Sequence, residues 1–517
     1  MNNKNKVLVI GLDGVTFDLI LDWINENKLP FLNKLLKNGV HAELKSTIPM
    51  FTPTAWTSFS TGMNPGGHGI TGFFKRKENS YDVTLSNMIK NQDQGKKIWN
   101  ILSENEKKVI VMNIPLTYPP EKVNGFMISG MMTPTNSNNF TFPSSLKYEI
   151  LNNINNYRIN PLNVYEEGKE IDFISELSQL VEIRTKTALY LMNQIDWDFF
   201  MVVFNETDYI QHAFWKYIDM NHPQHDQEKS NKYVKELLSF YQRIDNKINE
   251  IVNCSGENTT IVIMSDHGFG SLYKFIHVNN WLLKMGLIKL KRNVITQTKY
   301  LLHRLQITPN NIYKILLKLN FGNIRLKMGK KKGRKMLEHF FLSFSDVDWK
   351  RTKAYSLGAM GQIFINVKGR EPLGIVNKNE EYEELRNFII HKLSNLSDPD
   401  TYMPVVEKIY KKEEIYSGSY YEKMPDIVFI PCHGYIGFEE FEFSSNSVFS
   451  SPKGISGTHR PNGILIMSGT NVKNGKKLSN SIKIEDVAPT ILKLFNISIP
   501  DKMDGAVILE AFKNRQI

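Results

Sequence analysis

The amino-acid sequence predicts an α/β fold, in which a doubly wound, mostly parallel sheet is flanked by helices and carries an inserted α+β cap. Short, continuous apolar runs occur at 7–10, 197–205 and 259–264, as is typical of strands buried on both faces of a sheet. Helical patterns separate these runs through the first 270 residues, and such alternation favours a parallel sheet. The alternation breaks between residues 271 and 456, which indicates the insertion.

The first strand leads directly into a candidate metal ligand. Val7–Ile10 is a short apolar run, and Asp13 follows it between two glycines. Helices are predicted at Phe17–Asn25 and Pro30–Lys37, because proline is common at a first helical position and a glycine follows the second segment. Val40–Leu44 is predicted to return as a strand.

A threonine before a proline marks the next helix. Thr52 precedes Pro53, and proline disfavours helical geometry in the residue before it while suiting the first helical position itself. Thr52 is therefore predicted to be an N-cap residue. A hydroxyl at the positive end of a helix is well placed to meet an anion or to form an alkoxide. The alternative is an ordinary capping threonine.

A second pair of candidate ligands follows a buried strand. The strand Trp197–Asn205 comes after a predicted long helix at Ile171–Gln194. Asp208 and His212 lie four residues apart just beyond it, so on a helix they share one face and can grip one ion. Glu206 is expected to support such a site or to be solvated rather than to bind the ion.

The third strand, within TTIVIMSDHGFG, ends in two further candidate ligands. Asp266 and His267 come at its carboxyl end, which is the edge where open α/β sheets bind ligands. Neighbouring residues on a strand point to opposite faces, but Gly268 and Gly270 are expected to permit a turn that lets both side chains converge. The alternative is a strand that ends in a polar turn without a metal.

The chain is predicted to divide into a core, made of residues 1–270 and 457–517, and a cap made of residues 271–456. The cap mixes helical and strand patterns, including a helix near 380–396 and a strand at 426–431. His459 is predicted to lie in a loop of the last segment, ahead of a final strand and a helix near Ile484–Phe495.

Charge is concentrated in the cap. The 517 residues carry a formal net charge of +11, which favours acidic partners such as phosphate esters, nucleic acid or an anionic membrane surface. Fifteen Lys and Arg residues and no Asp or Glu lie between Lys284 and Lys335. Their spacing predicts either weak contact with an anionic membrane surface or a solvated basic face. No specific nucleic-acid partner is predicted.

The apolar run near the N-terminus is too short for a signal-peptide core or a membrane span. We therefore predict a cytoplasmic protein, peripheral at the membrane if the basic segment binds there. The sequence contains only two cysteines, Cys254 and Cys432, so a metal would have to be held by His and carboxylate groups. Three aspartates and three histidines suit two such sites: Asp13, Asp208, His212, Asp266, His267 and His459.

These motifs, from GLDGVTFDLI to EDVAPTILKLF, resemble the type I phosphodiesterase and nucleotide pyrophosphatase branch of the alkaline phosphatase superfamily. The resemblance covers nearly the whole chain and implies an alkaline phosphatase-like core. It further implies two divalent metal ions, Zn²⁺ or alternatively Mn²⁺, and no organic cofactor. One ion would be held by Asp208, His212 and His459. The other would be held by Asp13, Asp266 and His267, with Thr52 beside it as nucleophile and metal-bound hydroxyl.

The implied activity is hydrolysis of phosphodiester or phosphoanhydride bonds through a covalent phosphothreonine, with a phosphate-ester small molecule or a nucleotide as substrate. One departure concerns Phe73, which stands where the family has an asparagine that binds a phosphoryl oxygen. The alternatives are a phosphoglycerate mutase-like enzyme, a phosphonate or monoester hydrolase of the same superfamily, and a catalytically silent anion- or membrane-binding protein. Lys453 and Arg460 are expected either to contact a phosphate or to face solvent.

Overall fold

The computed structural model describes residues 5–88, 95–318, 338–438, 443–478 and 482–514. Its helices are α1 (Phe17–Asn25), α2 (Pro30–Lys37), α3 (Thr52–Thr61), α4 (Pro65–His68), α5 (Ile98–Glu104), α6 (Leu146–Asn153), α7 (Glu170–Met192), α8 (Glu206–Ile218), α9 (Gln227–Ser255), α10 (Val278–Lys284), α11 (Val294–Arg304), α12 (Pro309–Lys318), α13 (Glu380–Ser394), α14 (Lys412–Ile415) and α15 (Val487–Leu494).

The strands are β1 (Lys6–Leu12), β2 (Gly39–Lys45), β3 (Phe74–Arg76), β4 (Val83–Leu85), β5 (Val109–Met112), β6 (Gly125–Ile128), β7 (Thr141–Phe142), β8 (Phe199–Phe204), β9 (Thr259–Met264), β10 (Gly268–Ile276), β11 (Ala354–Ser356), β12 (Gln362–Ile365), β13 (Val406–Lys411), β14 (Ile427–Pro431), β15 (Gly434–Gly437), β16 (Phe449–Ser450), β17 (Gly457–Arg460), β18 (Asn462–Ser468), β19 (Lys476–Lys477) and β20 (Ile482–Lys483).

A mostly parallel sheet lies at the centre of the fold. Its strand order is β19-β2-β18-β9-β1-β8-β5-β6-β7, and β20 also pairs with β2. The strands β9, β1, β8, β5 and β6 run parallel to one another, whereas β18 is antiparallel to both β9 and β2. The predicted α/β fold with a mostly parallel sheet is therefore confirmed.

The sheet is buried on both faces, which explains why its strands are apolar without alternation. Along β1, Leu8 and Ile10 pack into a core with residues of α1, α2, α7, α8 and α9. Val7 and Val9 face the opposite core, which contains residues of α3, α5 and α15. Burial on both sides removes most of the apolar surface of these strands from water, and this is the main favourable contribution to folding.

Strand register brings the candidate ligands to one edge of the sheet. Leu12 at the end of β1 pairs with Phe204 at the end of β8, so Asp13 and Asn205 leave neighbouring strands at the same level. Gly11 pairs with Met264 on the other side of β1, which places Asp266 at the same carboxyl edge. Ligand binding at this edge is a general property of open α/β sheets.

Residues 271–456 contribute a second, antiparallel sheet with strand order β11-β12-β14-β13. Its core includes residues of α10 and α13. The helix and strand predicted here are present as α13 and β14. A separate small sheet joins this region to the site, because β10 pairs with β15 and β16 as well as with β17. The division into a core and a cap stays a prediction.

Three local predictions were wrong. The first helical residue of α3 is Thr52 itself, and the N-cap position belongs to Phe51, whose backbone is extended. His459 lies on strand β17 rather than in a loop. Gly268 and Gly270 belong to β10 and do not form a turn. Close packing explains the first of these glycines, because a Cβ atom at residue 268 would collide with the carbonyl oxygen of Asn462.

The basic segment is described only as far as α12. Residues 319–337, which include the run predicted to touch a membrane at 330–335, lie outside the described residues. In the part of the chain that the structure does describe, no helix combines the length and apolar character needed to cross a bilayer.

Candidate active site

Two groups of three potential metal ligands form at the carboxyl edge of the central sheet. The first cluster consists of Asp13, Asp266 and His267, all of them buried. The second cluster consists of Asp208, His212 and His459. Within each cluster the ligand atoms lie within 4.8 Å of one another. The structure thus brings together all six Asp and His side chains that the sequence analysis selected, in the two groups that the family resemblance implies.

Hydrogen bonds orient the two aspartates of the first cluster. Asn205 Nδ2 donates to Asp13 Oδ2 at 2.6 Å, and Trp56 Nε1 donates to the same oxygen at 3.3 Å. The backbone N–H of Gly14 donates to Asp266 Oδ1 at 3.1 Å. The second oxygen of each carboxylate, Asp13 Oδ1 and Asp266 Oδ2, is buried and receives no hydrogen bond from any described residue.

A helix and a strand together build the second cluster. On α8, Asp208 and His212 are one turn apart, and His212 Nε2 lies 3.4 Å from Asp208 Oδ1. The antiparallel pairing of Phe269 with His459 carries the latter to the same place. His459 Nε2 lies 3.4 Å from Asp208 Oδ1 and 3.2 Å from His212 Nε2.

All three histidines are held in the same way. The Nδ1 atom of each faces a backbone carbonyl oxygen: that of Gly268 for His267 at 3.0 Å, Gly457 for His212 at 2.8 Å and Met50 for His459 at 3.3 Å. A carbonyl only accepts, so Nδ1 carries the proton and Nε2 is left with a lone pair directed into the site. This is the arrangement in which histidines usually bind metals.

Burial and mutual repulsion give the aspartates different proton affinities. Burial, together with the charges of Asp266 and Asp208, raises the pKa of Asp13 well above its usual value. Burial likewise raises the pKa of Asp266 to about 7. For Asp208, burial alone would raise the pKa, but the nearby His212 and His459 have the larger effect. The pKa of Asp208 is therefore lowered to about 2. Burial lowers the pKa of His267 well below its usual value.

Thr52 lies beside the first cluster. Its Oγ1 atom is 3.2 Å from His267 Nε2, and the residue is the first of helix α3. The N-terminus of a helix carries partial positive charge, which favours a developing negative charge on that oxygen. Thr57, further along the same helix, instead donates its hydroxyl hydrogen bond to the carbonyl of Pro53 at 2.6 Å.

Glu206 and Arg460 make their contacts away from the two clusters, whereas Phe73 packs against Phe51, the residue before Thr52. Glu206 is fully buried and pairs with Arg184 Nε at 2.6 Å, so it is neither solvated nor a member of a cluster. The guanidinium of Arg460 donates to the carbonyl of Cys432 at 3.4 Å, on the face of β17 opposite to His459. Phe73 packs edge-to-face on Phe51 with 5.2 Å between ring centroids, so it adds an apolar wall.

Two residues that support the ligands were not among the residues predicted from the sequence. Asn205 and Trp56 both bind Asp13, and neither was selected. Asn205 could have been found, because it follows strand β8 in the same position that Asp13 occupies after β1. Trp56 could not, because its indole reaches Asp13 only through the packing of α3 on the sheet.

The chain is similar to a known family and to several solved structures. Residues 7–444 match the family described as type I phosphodiesterase / nucleotide pyrophosphatase. No curated protein is similar enough to count as a match. Among solved structures, human ectonucleotide pyrophosphatase/phosphodiesterase 5 aligns with a TM-score of 0.51 at 12% identity, covering 98% of this chain and 100% of that one.

Two further structures share the fold. An inactive variant of the murine ectonucleotide pyrophosphatase/phosphodiesterase 5 in complex with AMP aligns with a TM-score of 0.50 at 12% identity, covering 96% of each chain. Phosphonoacetate hydrolase from Sinorhizobium meliloti 1021 in complex with phosphonoformate aligns with a TM-score of 0.53 at 14% identity, covering 94% of each chain. At these identities the likeness concerns the fold.

Proposed function

Because the chain belongs to the type I phosphodiesterase/nucleotide pyrophosphatase family, we propose that it hydrolyses phosphodiester or phosphoanhydride bonds with two divalent metal ions and a covalent phosphothreonine at Thr52. The family makes it a phosphodiesterase/pyrophosphatase-like hydrolase of the alkaline phosphatase superfamily. The observation that carries the finer proposal is the position of Thr52 Oγ1, 3.2 Å from His267 Nε2 and beside two clusters of potential metal ligands.

The residues present fit two metal ions. Asp13 Oδ1, Asp266 Oδ2 and Asp208 Oδ1 are buried oxygens without a hydrogen-bond donor among the described residues, and an unpaired buried carboxylate is costly. His212 Nε2 and His459 Nε2 lie 3.2 Å apart, and in the neutral rings both atoms offer a lone pair to a cation. Nitrogen and carboxylate donors without thiolates suit Zn²⁺ and also Mn²⁺.

The proposed reaction proceeds in two displacements at phosphorus. Asp13, Asp266 and His267 would hold one ion, and Asp208, His212 and His459 the other. When bound, the ions would supply positive charge that neutralises the phosphate and favours ionisation of a hydroxyl group. Thr52 gives its proton to solvent and Oγ1 attacks phosphorus, so a P–O bond to Thr52 forms while the bond to the leaving group breaks and the leaving oxygen departs with the electron pair of that bond.

The second displacement restores the enzyme. Water attacks the phosphothreonine, the P–Oγ1 bond breaks, and Thr52 recovers a proton. The carbonyls of Gly268, Gly457 and Met50 keep the three Nε2 atoms directed into the site through both steps. Nucleotide-type substrates are supported by the AMP complex of the murine neighbour.

A substrate panel tests the proposal. We expect protein loaded with Zn²⁺ or Mn²⁺ to hydrolyse a bis-aryl phosphate or a nucleotide, and EDTA to abolish this activity. Exclusive activity on phosphonates or aryl monophosphates would favour the alternative hydrolase, and phosphoryl transfer between hydroxyls would favour the mutase-like one. If metal-loaded protein turns over nothing in the panel, a silent anion-binding protein is the better description. A cytoplasmic location and weak contact with an anionic membrane surface stay predictions.

A further inference from the structure

A small cavity of about 200 Å³ is lined by Ala213 and Lys216 of α8, the helix that carries Asp208 and His212 of the second cluster. Its walls come from the stretch that precedes α7, from α8 and from residues 453–456. The side chains that matter most for its chemistry are Lys216, Lys453 and Tyr165. The cavity could hold several water molecules, since each water occupies about 30 Å³ in the liquid. It is therefore large enough for a single anionic group.

The cavity and the second cluster share one face of α8. Asp208, His212 and Lys216 lie at successive intervals of four residues, so their side chains follow one another along that face. The segment opposite is fixed to the same helix, because the Ser456 N–H donates to the His212 carbonyl at 2.6 Å. The backbone carbonyl of the next residue, Gly457, accepts a hydrogen bond from His212 Nδ1. The cavity wall and the second cluster are thus one structural unit.

The cavity carries an excess of positive charge. Lys216 is only 6% exposed, and its Nζ atom lies 3.5 Å from Glu167 Oε1, on a side chain that is largely exposed. Among the described residues, no carboxylate lies within salt-bridge distance of Lys453. Lys453, an exposed side chain in the cavity wall, adds a second positive charge there. The cost of burying the Lys216 ammonium group is poorly compensated by a single carboxylate that is itself solvated. An anion bound in the cavity would offset more of this cost.

We propose that this cavity binds a second anionic group of the substrate, a carboxylate or a phosphate, so that the preferred substrate is a phosphate ester carrying a further negative charge. Lys216 and Lys453 are then specificity-determining residues. This inference rests on the proposed function and narrows its substrate class. A purely structural role for Lys216, held against the rings of Tyr165 and Tyr217 at 5.6 and 5.1 Å, is the competing explanation.

A pair of symmetrical diesters tests the inference in the metal-loaded full chain. Bis(4-carboxyphenyl) phosphate carries the extra charge on either side of phosphorus, and bis(4-carbamoylphenyl) phosphate is its neutral counterpart of similar shape. The readout is the ratio of kcat/KM for the two substrates. Hydrogen bonds to charged groups predict that Lys216→Gln lowers this ratio roughly 10- to 100-fold, and Lys453→Gln should lower it less because its side chain is exposed to solvent. The phosphonate analogue bis(4-phosphonophenyl) phosphate shows whether phosphate-like or carboxylate groups fit better.

Two further variants make the result decisive. Lys216→Arg keeps the charge and should restore most of the ratio, which a loss of packing would not explain. Lys232→Gln, on the exposed side of α9, is the matched control and should leave the ratio unchanged. A ratio that is the same in wild type, Lys216→Gln and Lys453→Gln would overturn the inference while leaving the proposed function intact. Failure of wild type to hydrolyse either diester or a nucleotide would overturn both.

Discussion

Asp266→Asn should stabilise the metal-free protein while impairing its metal binding. Asp266 is fully buried and its Oδ1 accepts the Gly14 N–H. Burial raises its pKa from 3.8 to about 7. A carboxyl group whose pKa is higher in the folded state stabilises the fold below its unfolded pKa, and this contribution is lost as pH rises through the folded pKa. Asparagine keeps the shape and the acceptor oxygen but cannot ionise.

The size of the effect follows from the two pKa values. A rise from 3.8 to about 7 corresponds to a cost of about 4 kcal/mol at pH 8, where Asp266 is ionised in both states. At pH 5 the folded group is still protonated, and the same linkage gives about 2 kcal/mol. The stabilisation of Asp266→Asn over wild type should therefore roughly double between pH 5 and pH 8.

Urea unfolding of EDTA-treated protein at the two pH values measures this difference. Asp501→Asn removes an exposed carboxylate and is the matched control, for which we expect little change. Zn²⁺ at one hundred times its dissociation constant should narrow the gap at pH 8 and reverse the order at pH 5, because it adds about 2.7 kcal/mol per site and the variant has one impaired site. A variant that is no more stable than wild type at pH 8, or whose gain is independent of pH, would refute the reasoning.

Three further results are expected. Thr52→Ala should lower turnover by several orders of magnitude with the metals still bound, whereas Thr52→Ser should keep measurable activity because its hydroxyl remains. Thr54→Ala should lose far less activity. An equal loss from Thr52→Ala and Thr54→Ala in steady-state kinetics would show that Thr52 is not the nucleophile. His459→Ala should reduce the metal content from about two ions to about one in elemental analysis. Wild-type protein that retains no metal after reconstitution would contradict the mechanism. The protein should bind anionic but not neutral vesicles in a co-sedimentation assay, and added salt should weaken this binding. Replacement of five basic residues by Gln should weaken it as well: Lys330, Lys331, Lys332, Arg334 and Lys335.

The sequence was informative where chemistry follows directly from strand ends. The apolar runs predicted β1, β8 and β9, and the polar residues after them marked the edge where Asp13, Asp208 and Asp266 now lie. The four-residue spacing of Asp208 and His212 was sufficient to predict a shared helix face, because helical periodicity fixes that geometry locally. The grouping into two clusters came from the family resemblance rather than from spacing.

The sequence was uninformative where geometry depends on strand pairing. Gly268 suggested a turn because glycine often permits one, yet here glycine is needed because the backbone around Asn462 approaches closely. The position of His459 follows from the antiparallel pairing of β17 with β10, in which His459 lies opposite Phe269. These two strands are nearly two hundred residues apart in the chain. No local pattern specifies such a register. The nearby proline and glycine residues favour a loop, which is why the sequence predicts one at His459.

The same pairing explains why the site depends on the whole fold. His459 is anchored through the carbonyl of Met50, just before α3, and its ring stacks on that of His267 with 3.7 Å between centroids. His212 is anchored through Gly457, two residues before His459 on β17. Each cluster is therefore oriented by backbone that also positions the other cluster or Thr52. A change that shifts β17 should disturb both clusters together, whereas replacing a single one of the six Asp and His residues should affect mainly one cluster.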